Sequence, residues 1–442
     1  MKLIKNYQMK NISFCINTAV NEINHVKLLF RSLEKNLSSK EHEIIVFIDS
    51  DNQGTFEWLL TQKETFPNLK ILKNNLPICY GFSRNINEMF EQASNDIVSY
   101  LQSDMVICKD YDKIVLKHVK PGIFLCATRV EPPLHPVGPE KFTHDFGLDP
   151  TKFDLDAFTE FAEQNKSDKK TGDFFAPFTL YRKDWIDVGG HNTLFRRSRE
   201  DSDVLIRLVL NDVKVVQTWE ALAYHFTCTS SRGPAWFDKE NKEAQQRLKI
   251  QQEADRWELC RFTITWGAFK HGDLTEDGYE KSKYYNIAAN IKNVKDMNKF
   301  YNFEMFFDKV YVEDKNIINE MQNIYDYQHK AANHLLNITD EAWEEYKYMY
   351  NKLNAKDRII HSNFLTKEEK DIVVEFDLET VDYNYINDFL IHLQQIIDET
   401  KELGEFEYGP FKFNINKKIN VADSRKIITN PKVKKEHLYT IH

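Results

Sequence analysis

The sequence predicts an α/β protein in which an N-terminal parallel sheet is followed by a mainly helical accessory module. From Asn11 to Asp104, short β-rich runs alternate with amphipathic helical stretches, as they do in the βαβ units of a parallel sheet. Beyond His271 the composition shifts towards Asn, Lys, Glu and Tyr, with mostly helical periodicity as far as Tyr350. The 442 residues are 42% hydrophobic and 29% charged, which is enough for two or three domains with buried cores.

Four strands and three helices are predicted in the N-terminal region. The strands cover residues 12–18, 43–49, 69–73 and 97–101, and the helices cover 26–36, 56–66 and 82–93. Ligands in open α/β sheets bind at the carboxyl ends of the strands. The polar residues that follow these strands are therefore candidates for a binding site, namely Thr18, Asn21, Glu22, Asp49, Asp51, Ser103 and Asp104.

An irregular insertion separates this region from a second run of elements. Residues 109–170 contain clustered prolines and predict a loop-rich segment over a site. A strand, a short helix and a Gly-Gly turn come next. They precede a helix that begins near Ser198, strands over 213–217 and 221–226, and a charged helix over 240–260.

We predict a domain boundary between residues 271 and 272. The first domain, 1–271, carries all candidate catalytic residues. The second domain, 272–442, is predicted to be helical and then to form a small α/β block, with a strand at 373–381, a helix at 386–403 and a hairpin around Gly409-Pro410. Three roles are compatible with its sequence: a surface for homo-oligomer formation, an acceptor-binding domain, or a platform for a partner protein.

Charge and cysteine usage exclude several classes of protein. The net charge is −9, from 59 basic and 68 acidic residues, so no nucleic-acid partner is expected. The first residues lack the apolar core of a signal peptide, and the apolar run at 12–20 is too short to span a bilayer. We therefore expect a cytoplasmic protein without a transmembrane segment. The six cysteines lack the paired spacing of a zinc site.

Several short motifs occur in a characteristic order. They are FCINTAVNE, VFIDSDNQGT, GFSRN, YLQSDM, GDFFAPFTLYRKDWIDVGGHNTLF, SREDSD, AYHF and TWG. In order and spacing these segments resemble the family-2 glycosyltransferases of the GT-A fold, over most of the first 270 residues. The resemblance implies a Rossmann-like nucleotide-sugar transferase domain that inverts the anomeric centre.

The resemblance also implies a set of donor-binding residues. Asp49 matches an aspartate that contacts the nucleotide base, usually uracil, while Ile48 replaces the first aspartate of that pair. A UDP-sugar donor is therefore expected. The implied donor-side residues are Thr18, Asn21, Glu22, Asp49, Arg84, Asn85, Gln102, Ser103 and Glu200. For Asp49 the alternative is a helix cap, and for Arg84 it is a solvated surface arginine.

A divalent cation is expected because two negative charges develop on the leaving phosphates. Such work suits a hard cation with oxygen ligands, and we expect Mn²⁺ or Mg²⁺ with Asp104 and His225 as ligands. A nitrogen ligand favours Mn²⁺. Gln102 stands where the family has the first aspartate of its Leu-Asp-x-Asp block. An Asx turn at Asp104 and a core histidine at His225 are the alternatives.

Asp201 is the predicted general base for a glycan or small hydroxyl acceptor. It lies in the first turn of a predicted helix, where the helix dipole stabilises the ionised carboxylate. Glu200 and Asp203 are also candidates from the residues alone, and Ser198 with Asp201 has the character of a capping box. The resemblance selects Asp201, since the aspartate of the family's Glu-Asp pair is the base.

Two other functions are considered. A nucleotidyltransferase is disfavoured, because that chemistry uses a glycine-rich loop after the first strand and Thr18 to Glu22 lack glycine. A catalytically inactive glycan-binding or scaffolding protein is the remaining alternative, and Gln102 is its best support. Asp173, Phe174, Phe175, His191 and the loop at 227–236 are predicted acceptor or lid elements.

Overall fold

The computed structural model describes most of the chain. The described residues are 11–134, 137–172, 176–196, 198–227, 240–266, 274–275, 278–279, 287–335, 338–346, 353–362, 370–382, 403–417 and 439–442. Within these residues, no helix combines the length and the hydropathy needed to cross a bilayer.

The N-terminal part consists of a large sheet with helices on both faces. Its strands are β1 (Ile12–Thr18), β2 (Glu43–Ile48), β3 (Leu69–Asn74), β4 (Ile97–Gln102), β5 (Met105–Ile107), β6 (Ile123–Glu131), β7 (Lys141–Thr143), β8 (Lys170–Thr171), β9 (Phe178–Tyr181) and β10 (Lys214–His225). Its helices are α1 (Ile23–Asn36), α2 (Thr55–Thr61), α3 (Phe82–Gln92), α4 (Tyr111–His118), α5 (Leu155–Asn165), α6 (Arg182–Asp187), α7 (Glu200–Val209) and α8 (Lys242–Trp266). The predicted α/β fold is confirmed.

The order of the strands brings the candidate site residues to one edge. The main path runs β3-β2-β1-β4-β9-β6-β10-β5, and β3, β2, β1 and β4 are mutually parallel. Thr18 is in register with Ile48, and Asn17 is in register with Gln102. The polar loops after β1, β2 and β4 therefore lie side by side, as the predicted crevice requires.

Both faces of the sheet are buried, which explains the continuous apolar runs in its strands. All seven residues of β1 are buried. Phe14 and Ile16 pack in one core with residues of α1 and α4, whereas Cys15 faces the other core with residues of α3. The alternation of side chains along each strand therefore fills two layers.

Three elements differ from the sequence prediction. The strands predicted at 213–217 and 221–226 form one strand, β10, whose register with β6 shifts between Thr218 and Leu222. Strand β6 itself was not predicted, because it lies in a stretch that the nearby prolines marked as irregular. Helix α8 continues to Trp266, so the segment that was expected to close the domain is helical.

The C-terminal part contains a second sheet. A short two-stranded pair comes first, formed by β11 (Leu274–Thr275) and β12 (Gly278–Tyr279). The strands of the second sheet are β13 (Ile287–Lys292), β14 (Lys309–Val312), β15 (Ile359–His361), β16 (Ile372–Asp377), β17 (Gly404–Tyr408) and β18 (Phe411–Ile415). Their order in the sheet is β15-β14-β13-β16-β18-β17. Its helices are α9 (Met297–Glu304), α10 (Asn316–Leu335), α11 (Asp340–Tyr346) and α12 (Ala355–Arg358).

This part was expected to be mainly helical, and its sheet corrects that expectation. The predicted strand and hairpin are present as β16 and as β17 with β18. Strands β13 and β14 were missed because their short apolar runs also fit a buried helix segment. The helix predicted at 386–403 lies outside the described residues, apart from Leu403.

Side-chain contacts connect the two parts, in addition to the polypeptide backbone that runs between them. Trp257 and Cys260 of α8 belong to the core of the second sheet. Arg196, which precedes α7 and is 4% exposed, donates to Asn333 Oδ1 at 2.8 Å and lies 2.9 Å from Nε2 of His329. The loop before α7 is therefore held by helix α10 of the second part.

The last strand, β19 (Tyr439–Ile441), returns to the first sheet. It pairs antiparallel with β3, and the amide and carbonyl of His442 exchange hydrogen bonds of 2.8 and 2.9 Å with Ile71. The C-terminal residues therefore cover the edge of the N-terminal sheet. The domain boundary at residue 271 stays a prediction.

Removal of residues 439–442 should expose this edge. We expect faster hydrogen exchange at the Ile71 amide, whose acceptor is the carbonyl of His442, and a loss of at least about 1–3 kcal/mol in the free energy of unfolding, the contribution of the two hydrogen bonds with His442 alone. Native-state hydrogen exchange measures the amide directly. As a control, Ile441→Ala changes a side chain that is 50% exposed and should leave the protection of Ile71 intact. Unchanged exchange in the truncated chain would contradict the pairing.

Candidate active site

The loop after β1 is tied to the end of β4 by Glu22. Its Oε2 accepts from the amide of Ala19 at 3.0 Å and from Oγ of Ser103 at 2.7 Å. Asn21 has a φ of 65°, a conformation that asparagine tolerates better than most residues, and exchanges 3.0 Å hydrogen bonds with Asn52. The loops after β1, β2 and β4 are thus connected through side chains.

Glu22 is buried beside another acid. Burial, with a smaller contribution from the negative charge of Asp104, raises the pKa of its carboxyl group to about 7, although hydrogen bonds from Ser103, the Ala19 amide and Thr18 oppose the rise. The carboxylates of Glu200, Asp104 and Glu22 also raise the pKa of Tyr100, although burial of its hydroxyl is the larger cause. These three acids therefore lie around the same end of β4, on which Tyr100 stands.

Asp49 is engaged by the protein itself. Its Oδ2 accepts from the Gly81 amide at 3.0 Å and from Asn85 Nδ2 at 3.1 Å, and its Oδ1 accepts from Asn74 Nδ2 at 3.1 Å and from the Tyr80 amide. A carboxylate has about four acceptor sites, so Asp49 is fully used in anchoring the start of α3. The predicted alternative, a cap on the helix that follows β2, is not what Asp49 does, because Asp51 accepts from the Phe56 amide of α2 instead. The contact of Asp49 with a nucleotide base stays a prediction.

Arg84 and Asn85 follow at the start of α3 and are both buried, at 5% and 2% exposure. The alternative of a solvated surface arginine is therefore wrong for Arg84, whose guanidinium lies 5.7 Å from the Tyr80 ring centre. Asn85 Oδ1 is buried and accepts no hydrogen bond from the described residues. Such atoms are rare in folded proteins unless a ligand or water completes them.

His225 and Asp104, far apart in sequence, lie next to each other. His225 at the end of β10 pairs with Met105 of β5, and its Nε2 is 3.8 Å from Oδ2 of Asp104. This distance is too long for a direct hydrogen bond. The backbone of Asp104 is fixed by a 3.1 Å hydrogen bond from the amide of Phe226.

Glu131, at the end of β6, orients the His225 ring. Its Oε1 is 2.8 Å from His225 Nδ1, and Arg129 and Lys141 approach the same carboxylate at 2.9 and 2.7 Å. Burial alone would raise the pKa of Glu131, but the hydrogen bond from His225 and the charges of Arg129 and Lys141 outweigh it and hold the pKa well below the ordinary value. Glu131 is therefore ionised and accepts the hydrogen bond from His225 Nδ1, which leaves Nε2 on the side of the ring that faces Asp104.

Sequence reasoning missed Glu131. It precedes Pro132 and Pro133 in a segment that was predicted to be a loop-rich insertion. The sequence did contain a signal, because Glu131 directly follows the apolar run Ile123 to Val130. In the structure this run is β6, which runs parallel to β10 and ends at the same edge of the sheet.

The donor atoms that face each other suit a divalent cation. They are a carboxylate oxygen of Asp104 and an imidazole nitrogen of His225, whose other nitrogen is fixed by Glu131, an arrangement common around histidine metal ligands. In the part of the chain that the structure describes, no group of three or more His, Cys, Asp or Glu side chains is placed to hold a metal ion. Phosphate oxygens and water would have to complete such a site, as they often do for Mg²⁺.

The three acids at the start of α7 have different surroundings. Asp203 is fully buried: its Oδ2 binds Arg207 Nε at 3.0 Å and Nη2 at 2.6 Å, and its Oδ1 accepts from Trp266 Nε1 at 3.0 Å. It therefore fastens α7 to α8 and is excluded as a base. Asp201 is exposed, and only its Oδ1 is engaged by the amide and hydroxyl of Ser202. Glu200 is half-buried, and its negative charge raises the pKa of the Tyr100 hydroxyl.

The acceptor side is described only in part. His191 follows the Gly-Gly turn, packs against Trp185 with ring centres 4.4 Å apart, and is held by reciprocal hydrogen bonds with Asn87 of α3. Burial lowers the pKa of His191 well below its ordinary value, so the ring is neutral and part of the core. Asp173, Phe174, Phe175 and the loop after Thr227 lie outside the described residues.

A comparison with protein families decides the assignment. Residues 15–190 match the family described as Glycosyl transferase family 2. The chain carries a glycosyltransferase family 2 domain. This match covers the loops after β1, β2 and β4 and the start of α3. It confirms the predicted family, the GT-A type of α/β fold that the family implies, and the prediction of a glycosyltransferase. No curated protein matches this glycosyltransferase.

Solved structures of other glycosyltransferases are distantly similar. GalNAc-T7 with UDP, GalNAc and Mn²⁺ is 10% identical with a TM-score of 0.36, over 49% of this chain and 43% of that one. S. aureus TarS 1–349 in complex with UDP is 12% identical with a TM-score of 0.38, over 76% of this chain and 91% of that one. The mannosyltransferase PcManGT from Pyrobaculum calidifontis, in complex with GDP-Man and Mn²⁺, is 11% identical with a TM-score of 0.38, over 58% and 65% of the two chains. Such scores are too low to assign a ligand.

Replacement of Asp203 should lower the free energy of unfolding of the glycosyltransferase, whereas replacement of Asp201 should leave it nearly unchanged. Asp203→Ala leaves Arg207, which is 1% exposed, without its carboxylate, and an uncompensated buried charge costs about 3–5 kcal/mol. The matched Asp201→Ala change is at an exposed position and should alter the free energy of unfolding by less than about 0.5 kcal/mol. Urea denaturation compares the two. Equal stability of both variants would contradict the different roles of these acids.

Glu22 should make the folded state less stable as the pH rises. Its pKa is about 7 in the folded protein against an ordinary 4.5, so the folded state binds more protons between these values, and stability falls as the pH rises from 4.5 to 7. The shift corresponds to about 3 kcal/mol. Glu22→Gln should remove this part of the pH dependence, measured as the free energy of unfolding of both proteins between pH 4.5 and 8. Parallel curves would show that Glu22 has an ordinary pKa.

Proposed function

We propose that this glycosyltransferase moves a sugar from a nucleotide-diphosphate donor, UDP-linked by the resemblance at Asp49, to a hydroxyl acceptor with inversion, and that it depends on a divalent cation. The observation that carries the cation site is the orientation of His225, whose Nε2 faces Asp104 Oδ2 at 3.8 Å while Glu131 holds Nδ1. The nature of the glycan or small hydroxyl acceptor is set by pocket walls rather than by these residues.

A cation bound to Asp104 and His225 would neutralise the negative charge that develops on the leaving diphosphate. His225 presents one fixed nitrogen, because the hydrogen bond to Glu131 leaves the ring no other orientation. Thr18, Asn21 and Glu22 frame the donor from the loop after β1. Arg84 and Asn85 approach it from the start of α3, where a guanidinium can bind phosphate oxygens in a fixed geometry.

Asp201 accepts the proton of the acceptor hydroxyl. Its Oδ2 forms no hydrogen bond to any described residue, so an acceptor can reach it. As the acceptor oxygen bonds to the anomeric carbon, the bond from that carbon to the diphosphate breaks and the hydroxyl proton moves to Asp201. One displacement without an enzyme nucleophile inverts the anomeric centre. A donor-side role for Glu200, in the same helical turn, is supported by its charge, which raises the pKa of Tyr100 on β4.

A thermal-shift screen of UDP-, GDP- and dTDP-sugars with and without Mn²⁺ tests this function. A ligand that binds only the folded form stabilises it by about 2.7 kcal/mol when present at about 100 times its Kd. We expect a rise in Tm with a UDP-sugar that requires Mn²⁺ and is lost in Asp104→Ala. Asp201→Ala should keep this rise but lose about 10²–10⁴-fold in transfer, the usual contribution of a general base.

Two results would contradict the proposal. A shift that does not depend on the metal, or that persists in Asp104→Ala, would remove Asp104 from the cation site. Loss of donor binding in Asp201→Ala would show that Asp201 binds the donor and is not the base.

A further inference from the structure

Phe195 and Arg196 form a junction between three helices. The carbonyl of Phe195 accepts from Oγ of Ser83, in the first turn of α3, at 2.5 Å. The amide of Arg196 donates to Oε1 of Glu258, in α8, at 3.1 Å. Helix α7 begins shortly after Arg196, so the junction fixes the entry of the chain into the helix that carries Asp201.

The side chain of Arg196 extends this junction into the second part of the chain. Its Nη1 donates to Oδ1 of Asn333 at 2.8 Å, and its Nη2 donates to Nε2 of His329 at 2.9 Å, since a guanidinium has no acceptor. The guanidinium is also 5.9 Å from the ring centre of Trp343 in α11. Because Arg196 is 4% exposed, α10 and α11 enclose a charged group that comes from the first part.

The two acceptors of α10 fix the orientation of the guanidinium. His329 and Asn333 are four residues apart and are both buried, so they lie on one face of the helix, a single turn from each other. A guanidinium presents its N–H groups in a rigid planar fork. With two prongs of the fork bonded to neighbouring turns of α10, the loop that carries Arg196 has one position relative to that helix.

The first turn of α7 is held on its other side by the first part of the chain. Asp203 accepts from Trp266 Nε1 of α8 at 3.0 Å, and its amide donates to the carbonyl of Arg199 at 2.9 Å. Arg199 has a φ of 68°, which is uncommon for a residue other than glycine and persists where the surrounding structure fixes it. The turn therefore lies between two anchors, and α10 completes the anchor on its N-terminal side.

We propose that Arg196 is a positioning residue for the transfer reaction, through which helix α10 of the second part sets the place of Asp201. This inference rests on the proposed function, in which Asp201 accepts the proton of the acceptor. Asp201 is exposed, and its Oδ1 is bonded within its own turn, to the amide and hydroxyl of Ser202. Its position therefore follows that of the helix. A displacement of about 1 Å can lower a rate about 100-fold, so the anchor of that helix bears on catalysis.

Substitutions at Asn333 release Arg196 without changing the first part of the chain. Asn333→Leu keeps the approximate size of the side chain and removes the acceptor, so the guanidinium loses one of its two bonds to α10. Asn333→Asp keeps an acceptor oxygen and should preserve the anchor. Asn302→Leu is the matched control, because Asn302 Oδ1 accepts from Nη2 of Arg256 at 3.0 Å. It breaks the same kind of bond, between α9 and α8, without touching Arg196.

Hydrogen exchange of the full chain, followed by mass spectrometry in peptides that cover residues 198–206, measures the anchor without any activity assay. Exchange there should be about 10-fold faster in Asn333→Leu, which corresponds to the loss of one hydrogen bond from a charged group. Asn333→Asp and Asn302→Leu should leave this rate unchanged. Peptides that cover β1 should exchange at the same rate in every variant, which shows that the effect is local.

Release of UDP from UDP-glucose, UDP-galactose, UDP-GlcNAc and UDP-GalNAc with Mn²⁺, with water as the acceptor, measures the effect on the reaction. Asn333→Leu should lower kcat by about 10-fold and leave KM for the UDP-sugar within about 2-fold, because the donor loops are unchanged. In the Asp201→Ala background the same substitution should change kcat by less than about 2-fold, since residues that act as a unit are not additive. A merely structural role would give the same factor in both backgrounds.

The outcomes separate this inference from the proposed function. If exchange at 198–206 is unchanged in Asn333→Leu, or if kcat falls by the same factor in both backgrounds, only the positioning role is wrong. If the unmodified protein releases no UDP from any of these sugars, or if Asp201→Ala releases it as fast, the role of Asp201 fails and the inference fails with it. Circular dichroism checks that each variant is folded. Should Asn333→Leu not fold, Arg196→Lys serves instead, because an ammonium group lacks the planar fork; unchanged exchange at 198–206 would then overturn the inference.

Discussion

Carboxylates that repel one another are gathered at the carboxyl edge of the N-terminal sheet, and the surrounding structure compensates each one differently. Glu131 is balanced by Arg129, Lys141 and the donated Nδ1–H of His225. Asp49 is satisfied by backbone and amide N–H groups. Burial raises the pKa of Glu22 to about 7, so its carboxyl group is mostly protonated in mildly acidic solution. Buried charges persist in proteins only when they are paired or neutralised in such ways, and Asp104 lies 3.8 Å from Nε2 of His225.

The register of the parallel strands determines which of these groups meet. Strand β1 is hydrogen-bonded to β2 on one side and to β4 on the other. The last residues of these three strands therefore lie side by side, and the loops that follow them are in contact. Strands β6 and β10 end at a position from which Glu131 and His225 reach the same crevice. The region that matches the family, residues 15–190, contains the strands β1, β2, β4 and β6, whose ends form this edge of the sheet.

The sequence predicted this edge well, since alternating strands and helices and the polar residues after each strand are local signals. The family resemblance also brought Asp104 and His225 together, and the structure places them 3.8 Å apart, while their binding of a cation stays a prediction. It could not predict that Asp49 is saturated by the amides at the start of α3 or that Glu131 orients His225. Those contacts join residues that are distant in the chain, and no local pattern encodes them. For the same reason, the burial of Arg84 was left open until its neighbours were known.

The C-terminal part was the least predictable, because its contacts with the first part are non-local. Helix α8 contributes Trp257 to the second core, α10 holds Arg196 just before the acids of α7, and β19 covers the edge of the first sheet. The second sheet is thus physically connected to the helix that carries Asp201.

The central claim is that Asp104 and His225 bind one cation, and electron spin-echo spectroscopy of bound Mn²⁺ tests it most directly. The magnetic coupling of Mn²⁺ to the nitrogen of a ligating imidazole is visible in such spectra. With UDP present, the account predicts coupling to a single imidazole nitrogen that disappears in His225→Ala. Bound Mn²⁺ without nitrogen coupling, or with coupling that survives this substitution, would contradict it.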